Sequence, residues 1–272
     1  GLDLGLRSGL GDDWLRVGGV KLFGDGALSA RTAALSCAYH GETGTGLLHQ
    51  DAETLKRQIV AAHLAGWQVA THAIGDRAVA AALDGYEAAQ AARPRPGARH
   101  RIEHCGMADD QAVARIAALG LVPVPQGPFL PVQGDVYTAA VGPDREHLLY
   151  RQRSFLMAGV EVPGSSDCPV VNGAPLYGIA ALVQRLTPDG RVLGPQERLT
   201  VAEALRAYTF GSAYAEHSET RKGSLSRGKL ADFVVLSDDL LAVAVDRIAE
   251  LEIQATVVGG RALHGEDNLA VR

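Results

Sequence analysis

WQVATHAIGDRAVAAALDGYEAAQAARPRPGARHRIEHC, residues 67–105, reads as strand, helix, strand. The run WQVATHA (67–73) is apolar and rich in β-formers and carries His72 near its end. Asp76 to Ala92 has an Ala-rich helical pattern, and Pro94, Pro96 and Gly97 break it before RHRIEHC (99–105), which carries His104. Two β-runs joined through a helix form the βαβ unit of a parallel sheet.

The same alternation extends in both directions. Upstream, VGGVKLF (17–23) is the first strand candidate, and a polar, Gly-rich stretch to about residue 50 is a long loop of the kind that usually serves function. Asp51 and Glu53 open a helix with apolar positions Leu55, Ile59, Ala62 and Leu64, and Gly66 stops it; Asp76 is the expected cap of the helix after His72. Downstream come a helix at 109–119, the strand LVPVPQ (121–126), a Pro-rich loop, a helix at 144–159 and the strand VEVPGSSD (160–167). Helices follow at 173–186 and 200–215, the second opened by a capping box of Thr200 with Glu203. DFVVL (232–236) and ATVVGGRAL (255–263) then switch to alternation and turns, a small antiparallel element. The expected organisation is an α/β unit over 1–222 and a β unit over 223–272. Five βα units are too few for a closed eight-stranded barrel, so the sheet is either open or part of a barrel.

Composition narrows the function. The 272 residues are 47% hydrophobic and 21% charged, enough for a sizeable core. A net charge of -5 supplies no basic stripe for nucleic acid, and no apolar run approaches the length that crosses a bilayer. Cys37, Cys105 and Cys168 are an odd set without CxxC spacing, so neither a disulfide framework nor a zinc knot is expected. A cytoplasmic setting fits that usage. The opening GLDLGLRSGL has neither a signal-peptide pattern nor an initiator Met, as expected of an excised piece.

Four of the five strands carry, at or near their ends, a polar residue that an interior strand tolerates only for a purpose: Lys21, His72, His104 and Asp167. Carboxyl ends of parallel strands are where α/β proteins build sites. Two imidazoles and a carboxylate are ordinary ligands for zinc or a similar divalent ion, and the carboxylate can take a proton from metal-activated water. Lysine is rare here, only Lys21, Lys56, Lys222 and Lys229 among 26 basic residues, so a lysine in an apolar strand, where burying an ammonium is costly, points to a need for its amine. Each residue alone has a plainer reading. One strand histidine is more often a hydrogen-bonded core residue, Asp167 would serve as a helix N-cap, and Lys21 as a partly exposed strand-end lysine. The joint occurrence at successive strand ends favours the site. His40, His49, His63, His100, His147, His217 and His264 read as exposed or loop residues, and Cys105 and Cys168 as packing residues turned away from their neighbours by strand alternation.

VKLFGDGALSARTAAL, THAIGDRAV, HRIEHC, GSSDCPV and RKGSLSRGKLADFVVLSDD resemble, in order and over nearly the whole chain, successive motifs of amidohydrolase family 3, its YtcJ-like branch, which includes proteins labelled exoenzyme regulatory proteins. The resemblance implies part of a (β/α)8 TIM barrel, about strands 4 to 8, with the C-terminal strands of a composite β-sandwich. It implies a centre of two divalent ions, zinc first among them, with Lys21 as a carbamylated bridging lysine, His72 and His104 as strand-end ligands, and Asp167 as ligand and general base. Asp25 and Arg31, in the loop after the Lys21 strand, would contact substrate, though a solvated loop pair is an equal reading. The family's HxH pair has no counterpart, since no HxH triplet occurs in the sequence. The chain alone is therefore expected to be inactive. The implied activity is hydrolysis of a C–N bond in a small amide, cyclic amide or N-substituted formamide. The rival is a regulatory or binding protein that keeps the fold without catalysis; a Cys-His nucleophilic enzyme lacks any oriented pair. A partial barrel leaves strand edges open, so self-association is expected.

Overall fold

Backbone pairing puts four short strands side by side, all parallel, in the order β1 (Val20–Phe23), β2 (Val69–Ala73), β3 (Arg101–His104) and β4 (Val122–Val124). The computed structural model describes residues 4–269. The chain divides into two compact units, one comprising residues to Pro125 with Gln133–Val162, the other Gln126–Val132 with the residues from Pro163 onward.

In the first unit, α1 (Ala52–Leu64), α2 (Asp76–Ala92) and α3 (Asp110–Ala118) link the strands, as the βαβ pattern requires. Asp51 caps α1 by accepting from Thr54 N at 2.8 Å, and Asp109 caps α3 by accepting from Ala112 N at 2.7 Å. Leu55, Ile59, Val79, Leu83 and Tyr86 from the helices pack with Val69, Ala73 and Ile102 from the strands. Burying a large aliphatic side chain contributes about 1.5–3 kcal/mol. The expected α1 stripe shifts at its end: His63 is buried and Leu64 is exposed.

In parallel pairing, registered residues share a sheet face. Thr71 registers with Ile102 and, through its bond to Tyr86 Oη at 2.8 Å, faces the helices. The other face therefore presents a row of Lys21, Ala70, Arg101 and Val122, and above it a row of Phe23, His72, Glu103 and Val124.

Three expectations fail here for local reasons. Residues 160–167 form no ladder strand: Val160 N–H is used by Phe155 O, Pro163 has no N–H, and Gly164 N–H goes to Ala207 O at 2.8 Å. The Pro-rich loop contains α4 (Leu130–Val141), whose Pro131 lies in the first turn where the missing N–H costs nothing. The helix expected at 144–159 is divided into a 3₁₀ segment, Pro143–Leu148, and α5 (Gln152–Met157), because Tyr150 takes a left-handed φ of 49° and bonds Gly106 O at 3.0 Å.

The second unit carries α6 (Pro175–Gln184), α7 (Val201–Arg206) and α8 (Ser212–Ala215). Thr200 and Glu203 make the expected capping box. The helix expected over 200–215 is interrupted by a π-turn at Ala207–Gly211, to which Gly164 is tied by its own N–H and by Ser212 Oγ donating to Gly164 O at 3.2 Å. The chain ends in an antiparallel sheet of β5 (Phe233–Leu236), β6 (Ile253–Val258) and β7 (Arg261–His264). Gly259 and Gly260 join β6 to β7 with φ of 57° and 77°, the two left-handed positions of a tight hairpin turn.

Candidate functional site

His72 lies in the upper row of the site face, at the carboxyl end of β2. Its Nε2 lies 2.9 Å from Gly26 O. A carbonyl oxygen only accepts, so Nε2 carries the proton and Nδ1 keeps the lone pair. Burial lowers the pKa of the ring from its ordinary value, which favours this neutral form.

His104 reaches the same place by a different route. It registers with Ala73, so strand alternation alone would turn it toward the helices. Its backbone instead takes a φ of 70°, followed by 45° at Cys105, and the rings of His72 and His104 meet edge to face with centroids 4.4 Å apart. Two consecutive non-glycine residues in the left-handed region cost on the order of 1–3 kcal/mol each. Such strain persists at places where the geometry serves a use.

Asp25 is fully buried. Its Oδ1 accepts from Ile74 N at 3.0 Å, and its Oδ2 from Ala34 N at 2.8 Å and Gly75 N at 2.9 Å. It ties the long loop after β1 to the segment after β2, and its Oδ1 stands 3.5 Å from His72 Nε2. Burial holds its pKa above the ordinary carboxylate value, against the opposing pull of the three amide donors and of His72. Arg31 lies in the same loop with a φ of 54°, pairs with Glu42 at 2.9 Å and stacks over Tyr39.

Lys21 is exposed, against the expectation of a buried ammonium, with Nζ 5.3 Å from the centre of the Phe23 ring. Asp167 belongs to the second unit, where it is exposed in a turn with a φ of 55°. It does not cap α6: the N-cap is Ala174, whose N–H is taken by Asn172 Oδ1.

Sequence reasoning passed over Arg101 and Glu103, which share the site face and pair at 2.7 Å. Period-two alternation in RHRIEHC was the available signal. It also passed over Tyr208, in the π-turn that holds the Gly164 segment, and over the Gly26 carbonyl that sets the His72 tautomer. His63 and His100, expected to be exposed or in loops, are fully buried. Asp76 is the first residue of α2 and not its cap; it accepts from Ser36 N at 2.9 Å and from the Ser36 hydroxyl, fastening the loop to the helix. Cys105 is buried as expected, whereas Cys168 is exposed.

Two adjacent imidazoles, one with a defined lone pair, fit part of a divalent-metal centre. Among the described residues no group of three or more His, Cys, Asp or Glu side chains is placed to hold a metal ion.

A parallel α/β sheet with imidazoles gathered at neighbouring carboxyl strand ends places the chain in the class of α/β proteins that build their sites at strand ends. The match to a family model narrows the class: residues 3–264 match the amidohydrolase family, and the chain belongs to that family. It is 32% identical over 259 residues to YtcJ of Bacillus subtilis, an alignment covering 94% of this chain and 48% of that protein. It is also 32% identical over 248 residues to the N-substituted formamide deformylase of Arthrobacter pascens, covering 90% of this chain and 45% of that enzyme. Among solved structures, a metal-dependent hydrolase of Pyrococcus horikoshii OT3 superposes with a TM-score of 0.79 at 32% identity, covering 90% of this chain and 49% of that one. The chain spans about half the length of the curated relatives it matches. No helix among the described residues is long and apolar enough to cross a membrane.

Proposed function

We propose that the protein to which this chain contributes is a metal-dependent hydrolase of C–N bonds in small amides, cyclic amides or N-substituted formamides. The reading rests on one observation, the His72 and His104 rings brought edge to face at the ends of adjacent strands by a left-handed turn of the backbone. Family membership and the resemblance to a metal-dependent hydrolase support it. The amide class of the substrate follows the formamide deformylase relative.

In this reading His72, through Nδ1, and His104 hold a divalent ion, with a carbamylated Lys21 and Asp167 as further ligands of a two-zinc centre. The ion supplies Lewis-acid polarisation of the scissile carbonyl and activation of water. Asp167 takes the proton from the attacking water and delivers it to the leaving nitrogen. Gly26 O keeps the His72 ring oriented. The remaining ligands come from sequence outside this chain, in a (β/α)8 barrel whose sandwich includes β5–β7. Without them the chain is inactive and its open sheet edge favours self-association.

The test is metal content and amide hydrolysis of the full-length protein, with Asp167→Asn beside it. Bound zinc with turnover lost in Asp167→Asn supports the reading. Turnover retained in that variant would remove Asp167 from the chemistry, and a full-length protein without metal would favour a regulatory protein that keeps the fold.

A further inference from the structure

We infer that Asp25 is a positioning residue for the site: it fixes the tautomer and direction of the His72 imidazole and is not a substrate contact. A residue that meets substrate needs a free polar edge. Asp25 has none, being fully buried with both oxygens accepting backbone N–H groups.

Those three amides belong to Ala34, Ile74 and Gly75, so one carboxylate joins the loop after β1 to the exit of β2, the strand that carries His72. Two effects on His72 follow. The residue after Asp25 is Gly26, whose carbonyl receives the His72 Nε2 proton at 2.9 Å, so anchoring Asp25 anchors that acceptor. The carboxylate itself stands 3.5 Å from Nε2, too long for a good hydrogen bond but near enough for its charge to favour the proton on that nitrogen. Both effects leave the Nδ1 lone pair available on the other side of the ring. Carboxylates and carbonyls behind a ligand histidine act in this way, and removing them weakens metal binding about 10–100-fold.

The inference deepens the metal-site reading and rests on it for the metal, whereas the tautomer is measurable without it. The experiment uses the full-length protein labelled with nitrogen-15 histidine, comparing wild type, Asp25→Asn, Asp25→Glu and Ser36→Ala. Ser36→Ala loosens the same loop at Asp76 without touching His72. The expected result is a single Nε2–H tautomer at His72 in wild type and Ser36→Ala, and a mixed tautomer in Asp25→Asn. Zn2+ affinity should fall about 10–100-fold in Asp25→Asn, with partial recovery in Asp25→Glu. Should Asp25→Asn fail to fold by circular dichroism, Asp25→Glu against Ser36→Ala decides the same question, with a His72 tautomer shift expected only in the former. An unchanged tautomer and affinity in a folded Asp25 variant would overturn the inference. If wild type binds no Zn2+, the metal reading fails while the tautomer comparison still decides the role of Asp25.

Discussion

His63 and His100, both fully buried, meet nitrogen to nitrogen at 2.7 Å. Val69 N–H donates to His100 Nδ1 at 2.9 Å, so the His100 proton lies on Nε2 and is given to His63 Nδ1. His63 Nε2–H is then left to donate to Arg93 O at 2.7 Å. One neutral tautomer of each ring satisfies the whole chain of bonds, which joins the end of α1 to the starts of β2 and β3.

This arrangement predicts acid sensitivity of the fold. Burial, with the Arg95 and Arg93 guanidiniums nearby, holds His63 below the ordinary histidine value. As pH falls through about 6.5 the unfolded chain takes up a proton at this position while the folded chain does not. The His63 contribution to stability is therefore complete above that value and is lost as pH falls toward the depressed folded pKa. Urea midpoints measured between about pH 7.5 and 5.5 should drop for wild type and drop less for His63→Gln. Equal slopes in the two proteins would rule the pair out as the cause.

Thiol reactivity should divide the three cysteines. Cys105 is completely buried and its thiol is pushed up to about 12, whereas Cys37 and Cys168 are exposed. Only a thiolate reacts quickly. Iodoacetamide applied to the native chain at mildly alkaline pH should label Cys37 and Cys168, and Cys105 only after denaturation. Native labelling of Cys105 would contradict its assignment as a packing residue.

The capping box at the start of α7 sets a third expectation. Thr200 Oγ1 accepts from Glu203 N at 3.2 Å, and Glu203 Oε2 accepts from Thr200 N at 2.8 Å. Thr200→Ala should cost about 1 kcal/mol and Thr200→Ser little, read as a shift in urea midpoint. A null result for Thr200→Ala would mean that α7 is held by packing and not by its cap.

What the sequence disclosed and what it hid have physical causes. The first four strands, α1 to α3, the capping box and the C-terminal antiparallel strands announce themselves through local periodicity, caps and turn residues, and each is present. His72 and His104 were legible as strand-end imidazoles. How His104 reaches His72 was not, because a left-handed φ at a histidine has no sequence signature. Burial of His63 and His100 was hidden for a similar reason: each satisfies the other, a pairing 37 residues apart that no local pattern encodes. Residues 160–167 misled because their β-rich composition does not reveal that Gly164 bonds to the π-turn. Asp25 read as a loop residue beside a site, and only its three amide donors show that it is interior.

The junction that Asp25 holds also has no room to spare, which gives the sharpest stability prediction. A Cβ added at Gly75 would lie 2.0 Å from Ala34 O, a backbone atom that cannot rotate aside. Gly75 φ is -73°, an ordinary value, so the objection to a side chain is space alone. Overpacking of this kind costs about 1–3 kcal/mol, against at most about 1 kcal/mol regained from reduced freedom of the unfolded chain. Gly75→Ala should therefore lower the urea midpoint. Because Gly75 N–H is one of the three donors to Asp25, it should also speed amide hydrogen exchange at Ala34, Ile74 and residue 75 while leaving β3 protected. A stable Gly75→Ala protein with unchanged exchange would show that the loop after β1 can move away from α2, and that Asp25 does not lock it.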